Sequence, residues 1–252
     1  MPFVLDFAWI PWHPGTPEKV IKVMIEEGKI SSDILQQNSS WHDFIPLCPE
    51  HPKGMEIYKT YWRSGTSITL NNGGNPFIHE LFNESQYNCS CPYNRENFAK
   101  LMEVRYKTID KANEIWNTNF SSFEDASKVE KFVKYPGLWV DWAKFMGDRY
   151  VEILKTGIST IRDIDKRQNV YFTEQPSMYN FITDRGATLD YRKIADLLDV
   201  ICVEGGVQFG HFEPKKDSSE GELVLNQGQF KAMLYLDMAT ALAKGKPVIN
   251  NE

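Results

Sequence analysis

The sequence is short of several residue types, and each shortage excludes a class of protein. Four cysteines among 252 residues are too few for a disulfide scaffold. The 28 basic residues do not outnumber the 34 acidic ones, so the net charge of −6 predicts no nucleic-acid partner. No run approaches the roughly 18 apolar residues of a membrane span, and the N-terminus lacks a basic signal-peptide start. We therefore expect a cytoplasmic chain with no membrane partner.

Common catalytic motifs are also missing, whereas aromatic residues are plentiful. The sequence has no dinucleotide-binding glycine fingerprint, phosphate-binding loop, HExxH motif or nucleophile elbow. Aromatic residues make up 13%, and several stand beside Asn, Glu, His and Pro rather than in periodic stretches. Two interpretations stay open: rings that pack loops onto the core, or cleft walls that stack on sugar rings. The second makes Trp12 a candidate substrate-binding residue.

Hydrophobic periodicity predicts an α/β fold. Short β-like runs alternate with segments of helical period, which is typical of a parallel sheet with crossover helices. The predicted strands cover residues 3–10, 77–82, 170–173, 200–203 and 247–249. Helices are expected around residues 98–105, 139–164, 189–198 and 229–243, with Gly245 and Pro247 ending the last one.

The number of predicted strands is small for a closed barrel. No repeat or domain boundary is evident, so residues 1–252 are predicted to form one domain or a fragment of one. Five or six strands can be counted, whereas a (β/α)₈ barrel has eight. Either the chain is a piece of a longer polypeptide, or other packing covers the exposed strand edges, for example in a homo-oligomer.

Four glutamates follow predicted strands. They are Glu84, Glu174, Glu204 and Glu252. The carboxyl ends of parallel strands meet at one edge, where α/β proteins place their reactive groups. Two carboxylates in a shared cleft can hydrolyse a glycoside, with retention at a separation of about 5 Å and inversion at roughly 6.5–9.5 Å. Each glutamate alone is equally compatible with capping a helix.

A longer pattern supports the carbohydrate interpretation. Residues 82–91 read FNESQYNCSC, residues 142–150 read WAKFMGDRY, and residues 246–252 read KPVINNE. Together with the aromatic and polar positions between 98 and 123, this series resembles the catalytic domain of glycoside hydrolase family 42, the β-galactosidase family. The resemblance implies a TIM-type (β/α)₈ barrel, of which this chain covers about strands three to seven. It also implies a carbohydrate substrate and no required cofactor.

The resemblance assigns roles residue by residue. Glu84 becomes the general acid/base after strand four, and Glu252 becomes the nucleophile after strand seven of a retaining hydrolase. Asn83 is expected to hydrogen-bond the sugar 2-hydroxyl, which strengthens in the transition state. Glu174 and Glu204 become subsite residues or residues that tune the pKa of the catalytic pair. The expected substrate is a β-linked sugar such as a β-galactoside.

Other positions are less specific. Arg63 precedes the strand that leads to Glu84 and is a candidate substrate clamp, or else a surface ion-pair residue. His79 and Cys202 lie within predicted strands and are expected to be core residues. The family commonly has a pocket tryptophan where this chain has Ser121, next to Phe120. A wall of the galactose pocket is therefore expected to differ.

The cysteines resemble an incomplete metal site. The family has a Cys-x-Cys-x-x-Cys cluster with a further upstream cysteine. Here Cys48, Cys89 and Cys91 match, while Asn94 stands at the last position. Three thiolates can hold a structural zinc if a fourth ligand completes the tetrahedron. Water, His42 and His51 are the predicted candidates, and buried inert thiols are the alternative.

Two other functions stay open. One is an inactive or truncated carbohydrate-binding remnant of the barrel, which would bind sugar without turnover. The other is a metal-dependent hydrolase that uses the cysteines with nearby histidines and would be sensitive to chelators. The five histidines of the sequence make the latter the weakest hypothesis.

Overall fold

The computed structural model describes residues 3–7, 17–35, 47–82, 87–173, 188–203 and 236–250. Its strands are β1 (Phe3–Asp6), β2 (Pro76–Glu80), β3 (Tyr171–Thr173), β4 (Ile201–Val203) and β5 (Val248–Asn250). Its helices are α1 (Pro17–Glu26), α2 (Gly54–Asn71), α3 (Pro92–Tyr106), α4 (Ile109–Trp116), α5 (Phe123–Ser127), α6 (Pro136–Ile164) and α7 (Tyr191–Leu197). Residues 236–243 are also helical.

All pairs between the described strands are parallel. One sheet has the order β1-β2-β3, and a second pairs β4 with β5. The first register aligns Leu5 with His79 and His79 with Phe172. Because parallel neighbours need crossover connections, helices lie between these strands along the chain. Ile78, His79 and Glu80 of β2 are buried, whereas Val4, Phe77 and Tyr171 are exposed.

Hydrogen bonds join the two sheets at the approach to β4. The backbone N–H groups of Asp199 and Val200 both donate to the carbonyl of Phe172, at 3.0 and 3.2 Å. The Thr173 hydroxyl donates to the carbonyl of Val200 at 2.9 Å, and the Phe172 N–H donates to the Asp199 carboxylate at 2.9 Å. The strands therefore follow one another in chain order across both sheets, as in a β/α barrel.

The longest helix, α6, crosses the core and packs against α2. Proline at its first position fits there, because the first turn needs no N–H partner. Gly157 lets the helix approach the sheet, since an added Cβ would lie 3.1 Å from Trp62 and from Leu81. Gly147 permits a second close approach, since a Cβ added there would lie 2.8 Å from the carbonyl oxygen of Thr188.

The described aromatic rings mainly form the core. Trp62, Phe82, Phe98, Trp142 and Tyr150 are all buried. The rings of Phe82 and Trp62 meet edge to face, 5.7 Å between centroids. For these residues the packing interpretation is confirmed, while Trp12 lies outside the described residues.

Most elements predicted from the sequence are present. The five predicted strands are all found, with described bounds that differ by one or two residues, and helices occupy the four predicted regions as far as these are described. Residues 8–10 of the first predicted strand lie outside the described residues. Gly245 has φ of +88° just after the helix at 236–243, as expected of a helix stop. His79 and Cys202 are buried as predicted. Within the part of the chain that is described, no helix is both long and apolar enough to cross a membrane.

Candidate functional site at the carboxyl ends of the strands

The strand ends lead directly to the predicted catalytic glutamates. β3 ends at Thr173 and β4 at Val203, so Glu174 and Glu204 are the next residues in the chain. Glu84 follows β2 by four residues, and Glu252 follows β5 by two. The predicted residues Trp12, Asn83, Glu84, Glu174, Glu204 and Glu252 themselves all lie outside the described residues. Their roles therefore remain predictions.

The residues on either side of positions 83–86 are fixed to the same helix. Phe82 and Tyr87 are both fully buried. Their rings lie 6.3 and 6.4 Å from the ring of Tyr150 on α6, measured between centroids. The chain that carries Glu84 is thus held at both ends by one aromatic side chain.

Hydrogen bonds hold the segment that follows Glu84. The Thr188 hydroxyl donates to the carbonyl of Tyr87 at 2.7 Å, and the Trp142 indole N–H donates to the Asn88 side chain at 2.9 Å. Arg95 donates from Nε to the carbonyl of Ser90 at 2.6 Å. Residues 87–91 are therefore ordered by α3, α6 and the segment before α7.

Cys48 contacts Cys89 and Cys91 of this segment. We call these three residues, with Asn94 beside them, the cysteine cluster. The Sγ atoms of Cys48, Cys89 and Cys91 all lie within 4.8 Å of one another, and those of Cys48 and Cys91 are 3.1 Å apart. All three residues are fully buried, and none of the four cysteines is in a disulfide.

The local sequence explains how the cluster assembles. Cys91 is the N-cap of α3, and Asn94 is at the third position of the helix, where a side chain can reach back toward the cap. Cys48 precedes α2, whose first residue is glycine. A Cβ on Gly54 would lie 2.0 Å from the Cys48 carbonyl oxygen, so only glycine permits this approach.

The thiols influence each other's protonation. Hydrogen bonding from Cys48 and then Cys89 lowers the pKa of the Cys91 thiol to about 3. Hydrogen bonding with Cys89 and Cys91, together with burial, raises the pKa of the Cys48 thiol. The cluster thus favours a thiolate at Cys91, the form that binds metal ions.

The donor set fits Zn²⁺. In a tetrahedral site with Zn–S bonds of about 2.3 Å, two sulfurs are about 3.8 Å apart, and the observed separations, from 3.1 Å to no more than 4.8 Å, bracket that value. Such buried thiolate sites are structural. The predicted fourth ligand His51 faces elsewhere: its Nδ1 accepts from the Lys53 N–H at 3.1 Å, and its Nε2 lies 3.6 Å from the Asp33 carboxylate. His42 lies outside the described residues.

Two other predicted site positions are described. Arg63 is exposed midway along α2, while its neighbour Trp62 packs inward. Its predicted role as a substrate clamp therefore stays a prediction. Ser121 is exposed and contacts Asp125 through its N–H and hydroxyl, both at 3.1 Å from Oδ2. The position predicted to have lost a pocket tryptophan is therefore part of the turn that caps α5.

A second buried polar group, the amino-end cluster, was not predicted. His79 Nε2 lies 3.1 Å from Asp165 Oδ2, and Arg167 donates to both oxygens of that carboxylate, from Nε at 2.8 Å and from Nη2 at 2.6 Å. Arg167 also donates to the carbonyl of Pro76, at the amino end of β2. Hydrogen bonding from Arg167 lowers the pKa of Asp165 well below its usual range. In barrel folds, this end of the strands serves stability rather than catalysis.

A family comparison supplies the identification. The model of glycoside hydrolase family 42, described as beta-galactosidase, matches residues 73–252. The chain belongs to glycoside hydrolase family 42. The resemblance noted in the sequence is therefore confirmed, and family 42 membership covers every described strand except β1.

Individual relatives agree with the family 42 assignment. The beta-galactosidase BglY of Alicyclobacillus acidocaldarius is 29% identical over 126 residues, which are 47% of this chain and 17% of that protein. The beta-galactosidase bgaB of Geobacillus kaustophilus is 26% identical over 196 residues, 64% of this chain and 28% of that protein. The chain thus spans less than a third of these curated relatives.

A solved structure shows the shared fold. The beta-galactosidase from Bacillus circulans sp. alkalophilus aligns with 98% of this chain and 39% of its own, at a TM-score of 0.63 and 16% identity. This family 42 chain therefore shares its fold with part of a beta-galactosidase.

Proposed function

We propose that the chain forms part of the catalytic barrel of a retaining β-glycosidase, with Glu84 as acid/base and Glu252 as nucleophile. The observation that supports the proposal is the parallel order of β2, β3, β4 and β5, because parallel strands end at one edge and each of these strands is followed in the sequence by a glutamate. Family 42 membership gives this edge its chemistry.

In the proposed reaction, a Glu252 carboxylate oxygen attacks the anomeric carbon while the bond to the leaving oxygen breaks. Glu84 donates its proton to that oxygen. Water then attacks the glycosyl-enzyme, gives its proton to Glu84 and frees the Glu252 carboxylate, so the anomeric configuration is retained. This requires the two carboxyl groups to lie about 5 Å apart.

The contacts around residues 87–91 support Glu84 as the proton donor. A general acid must hold its position relative to the leaving oxygen, because small displacements cost large factors in rate. Phe82 and Tyr87 anchor the chain on both sides of Glu84, and the cysteine cluster begins five residues after it. A β-galactoside is the proposed substrate, after the beta-galactosidase relatives.

The test compares glutamate variants on β-galactosides with good and poor leaving groups. Glu84→Ala should lose about 10²–10⁴-fold on the poor leaving group, where proton donation matters, and much less on a nitrophenyl glycoside. Azide should rescue Glu84→Ala with formation of a β-glycosyl azide, and Glu252→Ala with formation of an α-glycosyl azide. Glu103→Gln, an exposed glutamate on α3, serves as control.

Equal losses on both substrates for Glu84→Ala, or inversion of the first-formed sugar by NMR, would contradict the assignment. Sugar binding without turnover, unaffected by Glu84→Ala, would instead identify a carbohydrate-binding remnant.

A further inference from the structure

The fourth corner of the cysteine cluster is occupied by an amide. Asn94 is fully buried. Its Nδ2 lies 3.6 Å from Cys91 Sγ and 3.8 Å from Cys48 Sγ, and it donates to the Tyr87 hydroxyl at 2.9 Å. Among the described residues, nothing donates a hydrogen bond to its Oδ1. A buried amide oxygen without a partner is costly, so this atom points to a missing ligand.

The distances match those of a metal ligand. In a tetrahedral zinc site with a sulfur at about 2.3 Å and an oxygen at about 2.1 Å, the two donor atoms lie about 3.6 Å apart. The amide atom nearest the sulfurs lies at 3.6 and 3.8 Å from two of them. These two distances are those expected between a fourth ligand and two of the sulfurs.

Rotation of the amide brings its oxygen to this vertex. The two ends of an asparagine amide are nearly equal in size, and a half-turn exchanges them. The Tyr87 hydroxyl can either accept from the nitrogen or donate to the oxygen, so this contact survives the exchange. The backbone need not move, because Asn94 is already set by its place in the first turn of α3.

We propose that Asn94 supplies the fourth ligand, through Oδ1, of a structural zinc site whose other ligands are Cys48, Cys89 and Cys91. One oxygen beside three thiolates suits Zn²⁺ better than softer ions such as Cu(I), which prefer sulfur alone. The amide also lowers the buried charge, because three thiolates leave the site at −1 whereas four would leave it at −2.

The surroundings of the cluster fit this smaller charge. Arg95 lies beside it, with Nε bound to the carbonyl of Ser90 between two of the thiols. Its guanidinium also donates to the carbonyls of Ser127 and Val129. With Asn94 as the fourth ligand the zinc site has a charge of −1, and the single positive charge of Arg95 balances it.

The experiment measures metal binding directly. The full chain is purified with a reductant, stripped with a chelator, and titrated with Zn²⁺ against a chromogenic chelator. The wild type should bind one equivalent. Asn94→Ala should weaken binding by at least about tenfold, since even the partners of metal ligands contribute that much.

Two further variants separate ligation from hydrogen bonding. Asn94→Asp keeps an oxygen but removes the N–H donor, so it should bind Zn²⁺ at least as tightly as the wild type if Oδ1 is the ligand. Asn94→Cys should bind more tightly, and the thiolate-to-Co²⁺ charge-transfer band of its Co²⁺ form should grow in the ratio of four thiolates to three. Circular dichroism shows whether each variant folds.

Asn97→Ala is the matched control, because Asn97 lies one turn further along α3 and donates to Glu50 instead. It should leave zinc affinity unchanged. Three results would overturn the proposal: a wild type that binds no zinc, an Asn94→Ala variant of unchanged affinity, or an Asn94→Asp variant as weak as Asn94→Ala. The last result would make Asn94 an N–H donor to the thiolates.

Discussion

The two buried polar clusters differ in how their charged groups are satisfied. In the amino-end cluster, Asp165 accepts hydrogen bonds from Nε and Nη2 of Arg167 and lies beside His79. Protein groups therefore compensate the negative charge of this carboxylate. In the cysteine cluster, Asn94 Oδ1 has no partner among the described residues. His79 Nδ1 of the first cluster also has no partner among these residues. The clusters differ because, within the described part of the chain, only the second brings metal-ligating side chains together.

This difference agrees with the division of labour in barrel folds, where residues at the carboxyl ends of strands serve function and those at the amino ends serve stability. The amino-end cluster fixes the end of α6 to β2. The cysteine cluster fixes the chain that follows Glu84. Substitutions in the two clusters should therefore have separable effects on stability and on metal binding.

The largest effect is expected from Asp165→Asn. The change leaves Arg167 without its carboxylate in a buried site. Breaking a buried pair costs 3–5 kcal/mol, and about 3 kcal/mol is expected here because a third of the Arg167 side chain stays in solvent. Urea denaturation measures the loss, and zinc affinity should be unchanged.

Asp163→Asn is the control for that change. Asp163 is two residues away and pairs with Lys166 on the surface, so it should shift the free energy of unfolding by less than about 1 kcal/mol. Equal losses for the two aspartates would show that the amino-end cluster contributes no more than a surface pair.

A smaller loss, about 2 kcal/mol, is expected from Gly54→Ala, because the new methyl group must displace backbone at Cys48. Unlike Asp165→Asn, this change should also lower zinc affinity, since Cys48 moves. Ser64→Ala, exposed on the same helix, should change neither quantity. A stable Gly54→Ala variant with normal zinc affinity would show that the start of α2 does not position Cys48.

The sequence predicts the strands well because they are short, apolar and bounded by polar loops. It does not predict α2, whose buried positions after the initial Gly54 are Tyr58, Trp62 and Thr66. Their spacing of four residues is helical, but a tyrosine and a threonine weaken the apolar signal. Tertiary contacts, such as those of the Tyr58 hydroxyl with the backbone of Leu47, decide this region instead.

The two clusters were predictable to different degrees. The resemblance brought Cys48, Cys89 and Cys91 together, yet the expected fourth ligands were water or histidine rather than Asn94. The signal available was the position of Asn94 three residues after Cys91 in the first turn of a helix. The contact of His79 with Asp165 joins residues 86 apart and has no local pattern. Only the fold brings them together.

The smallest effect is a dependence of stability on pH that arises in the amino-end cluster. Burial lowers the pKa of His79 below its ordinary 6.5, although Asp165 opposes this. The unfolded chain therefore takes up a proton before the folded chain does, and stability present above pH 6.5 is lost as the pH falls toward the lower folded pKa. Asp165 adds a second loss of stability below its ordinary pKa of 3.8, because its folded pKa is lowered.

Urea midpoints from pH 8 to pH 4 measure the loss that arises from His79, which cannot exceed about 1.4 kcal/mol per pH unit for one proton. His79→Gln can still donate to Asp165 but does not titrate, so it should flatten the curve between pH 7 and pH 5. A curve for His79→Gln as steep as that of the wild type would place the titrating group elsewhere.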